Sequence, residues 1–200
     1  MKKLLLDLGG VFYSAAEPDD TFWERWAGRC DQAPESLAAC FWHGPDIEAA
    51  NVGRLVAERY YERASERLGV DSDTVRAMIE ELFVGGFNDE FADFVRGLRS
   101  TGAAISVLTN NWSSEKEIMG RPEFRGLFDH VISSADVGTT KPGEAIYRIA
   151  HDRLGGEPGH LFFVDDSANN VQTALSLGWG ATQFRTTVAT IAGINAFFAR

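Results

Sequence analysis

Five short apolar runs constrain this chain before anything else does: Lys3–Leu8, Ala104–Thr109, His130–Ser133, Leu161–Val164 and Ala181–Phe184. They are almost continuously hydrophobic rather than alternating, which is how strands read when a sheet is covered on both faces. Helical patterns lie between them. Phe91, Phe94, Val95 and Leu98 recur at helical spacing ahead of Gly102, and Ile146, Ile149, Ala150 and Leu154 repeat that spacing after Pro142. Ser167 stands where an N-cap belongs, before Val171, Ala174 and Leu175, with Gly178 as the stop. Strand and helix in alternation predict an α/β fold with a doubly wound parallel sheet.

The pattern changes between Val11 and Phe87, where no strand-like run occurs. Val52, Leu55, Val56, Tyr60 and Leu68 predict one long helix ended by Gly69, and Val75, Met78, Ile79, Leu82 and Phe83 predict another, started by Asp71 to Asp73. The expected organisation is a core of residues 1–13 and 88–200, with an all-helical segment, 14–87, inserted after the first strand. Tyr13–Pro18 and Gly85-Gly86 are the expected hinges.

Charge narrows the partners. The 200 residues carry a net charge of −10, which argues against nucleic acid and anionic membrane surfaces, since both need a basic face. A small phosphorylated metabolite stays open, because a bound divalent cation reverses the local sign. The opening Met1-Lys2-Lys3-Leu4-Leu5-Leu6 starts like a signal peptide, but Asp7 cuts the apolar run short. Two cysteines, Cys30 and Cys40, make no disulfide framework, and His43, His130, His151 and His160 have no metal-ligand spacing. The expectation is a cytoplasmic protein, a monomer or homodimer.

The chemistry-bearing residues fall where these strands end. Asp7 closes the first, followed by Gly9-Gly10; Thr109, Asn110 and Asn111 close the second; Lys141 follows the third in Gly138-Thr-Thr-Lys-Pro142; Asp165 and Asp166 close the fourth, followed by Ser167, Asn169 and Asn170. Doubly wound sheets bind ligands beyond the carboxyl ends of their strands. Each cluster has an ordinary reading: a turn Asp, a polar strand end, a solvated turn lysine, acids at a helix N-terminus. Agreement of all four is harder to explain that way. A carboxylate attacks phosphorus to form an aspartyl-phosphate, cations and donors such as Lys141, Thr109 and Asn110 surround the phosphoryl oxygens, and an oxygen-only shell from Asp7, Asp166 and a carbonyl near Gly9 suits Mg²⁺.

On these residues the chain resembles the haloacid dehalogenase-like hydrolase superfamily over nearly its whole length. Asp7-Leu8-Gly9-Gly10-Val11 is similar to the first motif, Leu108-Thr109-Asn110 to the second, Lys141-Pro142 to the third, and Phe163-Val164-Asp165-Asp166-Ser167-Ala168-Asn169-Asn170 to the fourth. The inserted helices resemble the family's helical cap, and Leu108-Thr109-Asn110-Asn111-Trp112 resembles the branch of epoxide hydrolase amino-terminal phosphatase domains and sugar-phosphate phosphatases. The resemblance implies a Mg²⁺-dependent phosphohydrolase acting on a small phosphomonoester. Asp7 would be nucleophile and metal ligand, with Lys141 as the second catalytic residue. Thr109, Asn110, Asn111 and Gly10 would bind substrate. The Gly9 carbonyl and Asp166 would ligate the metal, with Asp165 and Asn170 assisting.

One position departs from the family. A second Asp normally stands two residues after the nucleophile as general acid and base, and here that residue is Gly9. Its loss typically costs about 10²–10⁴-fold in rate. A good leaving group would make the loss tolerable, and a weak catalyst that binds phospholigands is an alternative. So is a haloacid dehalogenase, which attacks carbon and needs no metal. Aromatic residues of the inserted segment (Trp23, Trp26, Phe41, Trp42, Tyr60, Tyr61) are expected mainly in packing. Trp42, His43 and Arg54 are candidates for contacting a leaving group, and Trp112 for excluding water beneath the cap.

Overall fold

The computed structural model describes residues 1–13, 20–37, 44–84 and 86–199. Five parallel strands form one sheet in the order β3-β2-β1-β4-β5: β1 Lys3–Leu6, β2 Ala104–Thr109, β3 His130–Ser133, β4 Leu161–Asp165 and β5 Gly180–Gln183. From β1 the chain winds outward through β2 and β3, then returns to the other side of β1 for β4. The order of winding therefore reverses between β1 and β4, the place where doubly wound sheets take their ligands.

The described helices are α1 Asp20–Cys30, α2 Pro45–Asn51, α3 Ala57–Leu68, α4 Ser72–Val84, α5 Asp89–Ser100, α6 Glu115–Gly120, α7 Ser134–Val137, α8 Glu144–Leu154, α9 Ala168–Ser176 and α10 Thr187–Ala199. Alternate strand residues feed two cores. Leu4, Leu6, Ile105, Val107, Val131, Phe162 and Val164 pack with Phe91 and Val95 of α5 and Ile194 of α10. Leu5, Leu108, Ile132, Leu161 and Phe163 pack on the opposite face with Ile146, Tyr147 and Ala150 of α8, Ala174 of α9 and Trp179. Both faces are covered, as the continuous apolar runs require.

A third apolar cluster belongs to the inserted helices: Phe22 and Trp26 of α1, Ile47 of α2, Tyr60 and Leu68 of α3, and Val75 and Met78 of α4, with Leu37. Trp112, just past β2, packs at its edge, 5.7 Å from Tyr60 between ring centres. The segment leaves and rejoins the sheet at one place. Tyr13 pairs antiparallel with Phe87, and the Asn88 N–H donates to the Phe12 carbonyl at 2.8 Å. Asn88 also caps α5 by accepting from Phe91 N, and its Nδ2 donates to Thr187 Oγ1 at 3.0 Å.

Three details depart from the sequence reading. α3 begins at Ala57; Val52, Leu55 and Val56 precede it in a loop. Gly53 takes φ +68°, which breaks the helical path, and Val56 is extended and 61% exposed. Ser167 occupies the N-cap of α9, but its side chain makes no capping bond; its backbone N–H donates instead to Asp165 Oδ1. Leu175 lies exposed on α9. Cys30 is buried as a free thiol. Residues 14–18, Cys40, Phe41, Trp42, His43 and Gly85 lie outside the described residues. No described helix is long and apolar enough to cross a membrane.

Candidate active site

Asp7 follows β1 directly, its N–H still bonded to the Val164 carbonyl of β4 at 2.9 Å. The carboxylate therefore stands at the reversal point. Its Oδ1 accepts from the Leu8 N–H at 2.8 Å and lies 2.9 Å from Lys141 Nζ. The same ammonium donates to Asp165 Oδ2 at 2.6 Å. The Lys141 side chain is 1% exposed and that of Asp165 is 0% exposed, so one fully buried cation is shared by two acids. Charge-assisted bonds of this kind are strong, and leaving either partner alone in the interior is costly.

Asp165 is bonded at both oxygens. Its Oδ1 accepts from Ser167 N at 2.8 Å and from Asn170 Nδ2 at 2.9 Å. Asn170 is fixed in turn: its carbonyl accepts from the buried Tyr147 hydroxyl at 3.0 Å. Asp166 is different. It is half-buried, its backbone carbonyl accepts from Gln183 Nε2, and no described side chain pairs with its carboxylate. Oxygens of Asp7, Asp165 and Asp166 lie within 4.8 Å of one another. Gly10 makes that approach possible: it takes φ +68°, and a Cβ there would sit 2.2 Å from Asp166 Oδ2. Its place is thus against the acid.

The electrostatics are out of balance. Burial pushes the Asp7 carboxyl up to about 6, with Lys141 pulling against it and Asp165 adding to the rise. Burial and then Asp165 raise Asp166 as well, again opposed by Lys141. Three carboxylates face one lysine, and an oxygen-only set starved of positive charge fits a hard divalent cation.

The raised Asp7 carboxyl has a measurable consequence. The folded state holds this proton more tightly than the unfolded chain, so stability from Asp7 is present below pH 4 and is lost as pH rises through 6. In EDTA, Asp7→Asn should therefore become more stable than wild type as pH rises from 4 to 7, by roughly 3 kcal/mol at most. Urea unfolding of both proteins across that range measures it; a constant difference would contradict the assignment.

The second strand end is placed less directly. Thr109 is buried, and its hydroxyl makes no hydrogen bond to another described residue. Asn110 is occupied: its Nδ2 donates to the Lys141 carbonyl at 2.9 Å and its Oδ1 accepts from the Lys141 N–H at 2.8 Å. Both backbone groups of Lys141 are gripped by one side chain. The Asn111 side chain accepts from Ser113 N, and its carbonyl accepts from Ser133 Oγ at 3.1 Å. Gly9 is exposed, in a conformation open to any residue, with nothing within 4 Å of where a Cβ would stand. Tyr147 and Ser133 escaped the sequence reading, and Ser167, read there as a helix cap, serves Asp165 through its backbone N–H instead. Tyr147 carried a signal, a lone phenol on an apolar helix face directly after the Lys141 loop.

Comparison with known proteins agrees with this geometry. A family model for haloacid dehalogenase-like hydrolases matches residues 1–178. The chain is 33% identical over 95 residues to bifunctional epoxide hydrolase 2 of Sus scrofa, a match covering 45% of this chain but only 17% of that protein. It is 29% identical over 190 residues to an (S)-2-haloacid dehalogenase of Pseudomonas putida, covering 88% of this chain and 81% of that one. Among solved structures, a family enzyme of Bacteroides thetaiotaomicron in complex with magnesium and inorganic phosphate superposes with TM-score 0.76 at 20% identity, over 92% of this chain and 94% of that chain. At that identity the likeness speaks to the fold.

Proposed function

We propose that this chain, which belongs to the haloacid dehalogenase-like hydrolase family, hydrolyses a small phosphomonoester through an aspartyl-phosphate on Asp7. One observation carries the reading: Lys141, fully buried, joins Asp7 to Asp165 while Asp166 stands free beside them at the reversal point. The Bacteroides neighbour with magnesium and phosphate supports it.

In this reading Asp7 Oδ2, which has no donor among the described residues, attacks phosphorus. The new bond is Oδ2–P and the bond broken is P–O of the ester. Lys141 offsets the charge of nucleophile and phosphoryl group, and the Thr109 hydroxyl donates to a phosphoryl oxygen. Asn110 works through Lys141, holding its backbone so that the ammonium stays on Asp7. Water then attacks the aspartyl-phosphate, returning Asp7 and releasing phosphate. Asp7, Asp166 and the Gly9 carbonyl would hold Mg²⁺, with Asp165 and Asn170 orienting them; the ion supplies charge neutralisation at the transferring phosphoryl group. The inserted helices act as a cap over the crevice.

The dehalogenase relatives support a second reading, displacement of halide from carbon by the same carboxylate. The crowd of acids favours the first, because attack on carbon leaves Asp166 without a task.

Turnover of phenyl phosphate with and without Mg²⁺, beside Asp7→Asn, tests the proposal. Mg²⁺-dependent turnover lost in the variant is expected. Undiminished turnover by the variant, or halide release without metal, would overturn it. Gly10→Ala should also weaken Mg²⁺ binding by about 10–100-fold, since it displaces a ligand-bearing residue, and calorimetric titration reads this directly.

A further inference from the structure

At the other end of the sheet, about 13 Å down β1 from Asp7, lies a second hollow. Leu5, Leu108 and Ile132 fill the α8 face of the sheet. Two residues nearer the amino-terminal edge, on the same face, stand Lys3, Ala104 with Ser106, and His130. Lys3 is paired with Ala104, and Ser106 with His130. Large side chains give way to small ones in the middle, and the result is a cleft of about 480 Å³ under the carboxyl end of α8.

Its lining is basic in a chain of net charge −10. Lys3, Arg99, Arg153 and His130 border it, against Asp129 alone on the acidic side. Arg99 is held by Asp129 at 2.8 Å. Lys3 Nζ donates to the carbonyls of Leu154 and Gly155 at the carboxyl end of α8. Those contacts explain Arg99 and Lys3 as structure, but not Arg153, which makes no ion pair among the described residues. Nor do they explain Ser106, 4% exposed, whose hydroxyl bonds to no described residue although it borders the cleft. That hydroxyl opens onto the cleft, where it is available to donate to an acceptor that enters.

We infer that this cleft binds a phosphate dianion, free or as a small phosphomonoester, at a place separate from the Asp7 crevice. Ser106 donates a hydrogen bond, and Arg153 and Lys3 supply the positive field, with His130 at the rim beside Glu115. The chemistry is oxyanion recognition by a hydroxyl facing the cleft and clustered cations.

Titration of the His130 ring resonances by NMR tests this in EDTA on the Asp7→Asn protein, so that neither metal nor turnover contributes. Inorganic phosphate and phenyl phosphate are the probes, with sodium chloride matched in ionic strength as control. A saturable shift of His130 with either probe, absent with chloride, is expected; the tighter probe identifies free phosphate or ester. Arg153→Glu should weaken that affinity by about tenfold or more while unfolding as wild type does. No saturable shift, an equal shift with chloride, or unchanged affinity in Arg153→Glu would overturn the inference and leave the phosphatase reading untouched.

Discussion

Gly9→Asp is expected to raise turnover of an alkyl phosphate by about 10²–10⁴-fold, the typical worth of a positioned general acid. The backbone already accommodates the change. Gly9 does not need the left-handed conformation, and a Cβ there meets nothing within 4 Å. The added carboxyl would stand two residues from the nucleophile, where the family's proton donor normally sits. An alkoxide leaves badly without a proton, whereas a phenoxide leaves well. The gain should therefore be largest on alkyl phosphate and slight on phenyl phosphate. Steady-state kinetics on the two substrates separates these outcomes. A variant that folds and binds Mg²⁺ yet gains equally on both would mean that leaving-group protonation does not limit this enzyme.

Lys141→Met removes the cation between two acids and should abolish turnover. It should also destabilise the protein by about 3–5 kcal/mol at pH 7, the usual result of stripping one partner from a buried ionic group. The sign of its pH dependence follows from the site. Asp7 already titrates near 6 because burial outweighs Lys141; without the lysine its carboxyl is pushed further up, and the native state takes up protons that the unfolded chain does not. The penalty should shrink as pH falls toward 6 and level off below 5, where Asp7 is protonated in both folded proteins. Denaturant unfolding of wild type and variant at pH 7 and pH 4.5 measures this. An equal penalty at both values would mean that packing, not charge, accounts for the effect.

Strand positions were legible because burial on both faces leaves one signature, an unbroken apolar run, and Ala104–Thr109 and His130–Ser133 match their predicted ends. The start of α3 was not. Val52, Leu55 and Val56 have helical spacing, but Gly53 lies between them with its would-be Cβ 2.0 Å from the Ala135 carbonyl. A close approach between distant segments took precedence over local periodicity, and nothing near residue 53 announces Ala135. The same limit applies to the site. Sequence order brought Asp7, Lys141 and Asp165 together because each stands at or beyond the carboxyl end of a strand. It could not say that Asn110 would spend both its polar atoms on the Lys141 backbone, since that depends on how two loops meet. That the Asp166 carboxylate meets no described side chain, beside an Asp165 bonded at both oxygens, likewise follows from which of two adjacent side chains turns toward Lys141.

Strand β1 and helix α8 are fastened together at both ends. Lys141, just ahead of α8, grips Asp7 beyond the top of the strand, and Lys3 at its foot grips the last carbonyls of the helix. Two rungs and two rails make a closed frame, whose side lengths fix how far the Asp7 carboxylate stands from its ammonium. One residue inserted into α8 would put the rails out of step, so that only one rung at a time could be made. The inserted helices lie outside this frame, so a change of length among them leaves it closed, whereas a change in the span from Glu144 to Leu154 opens it.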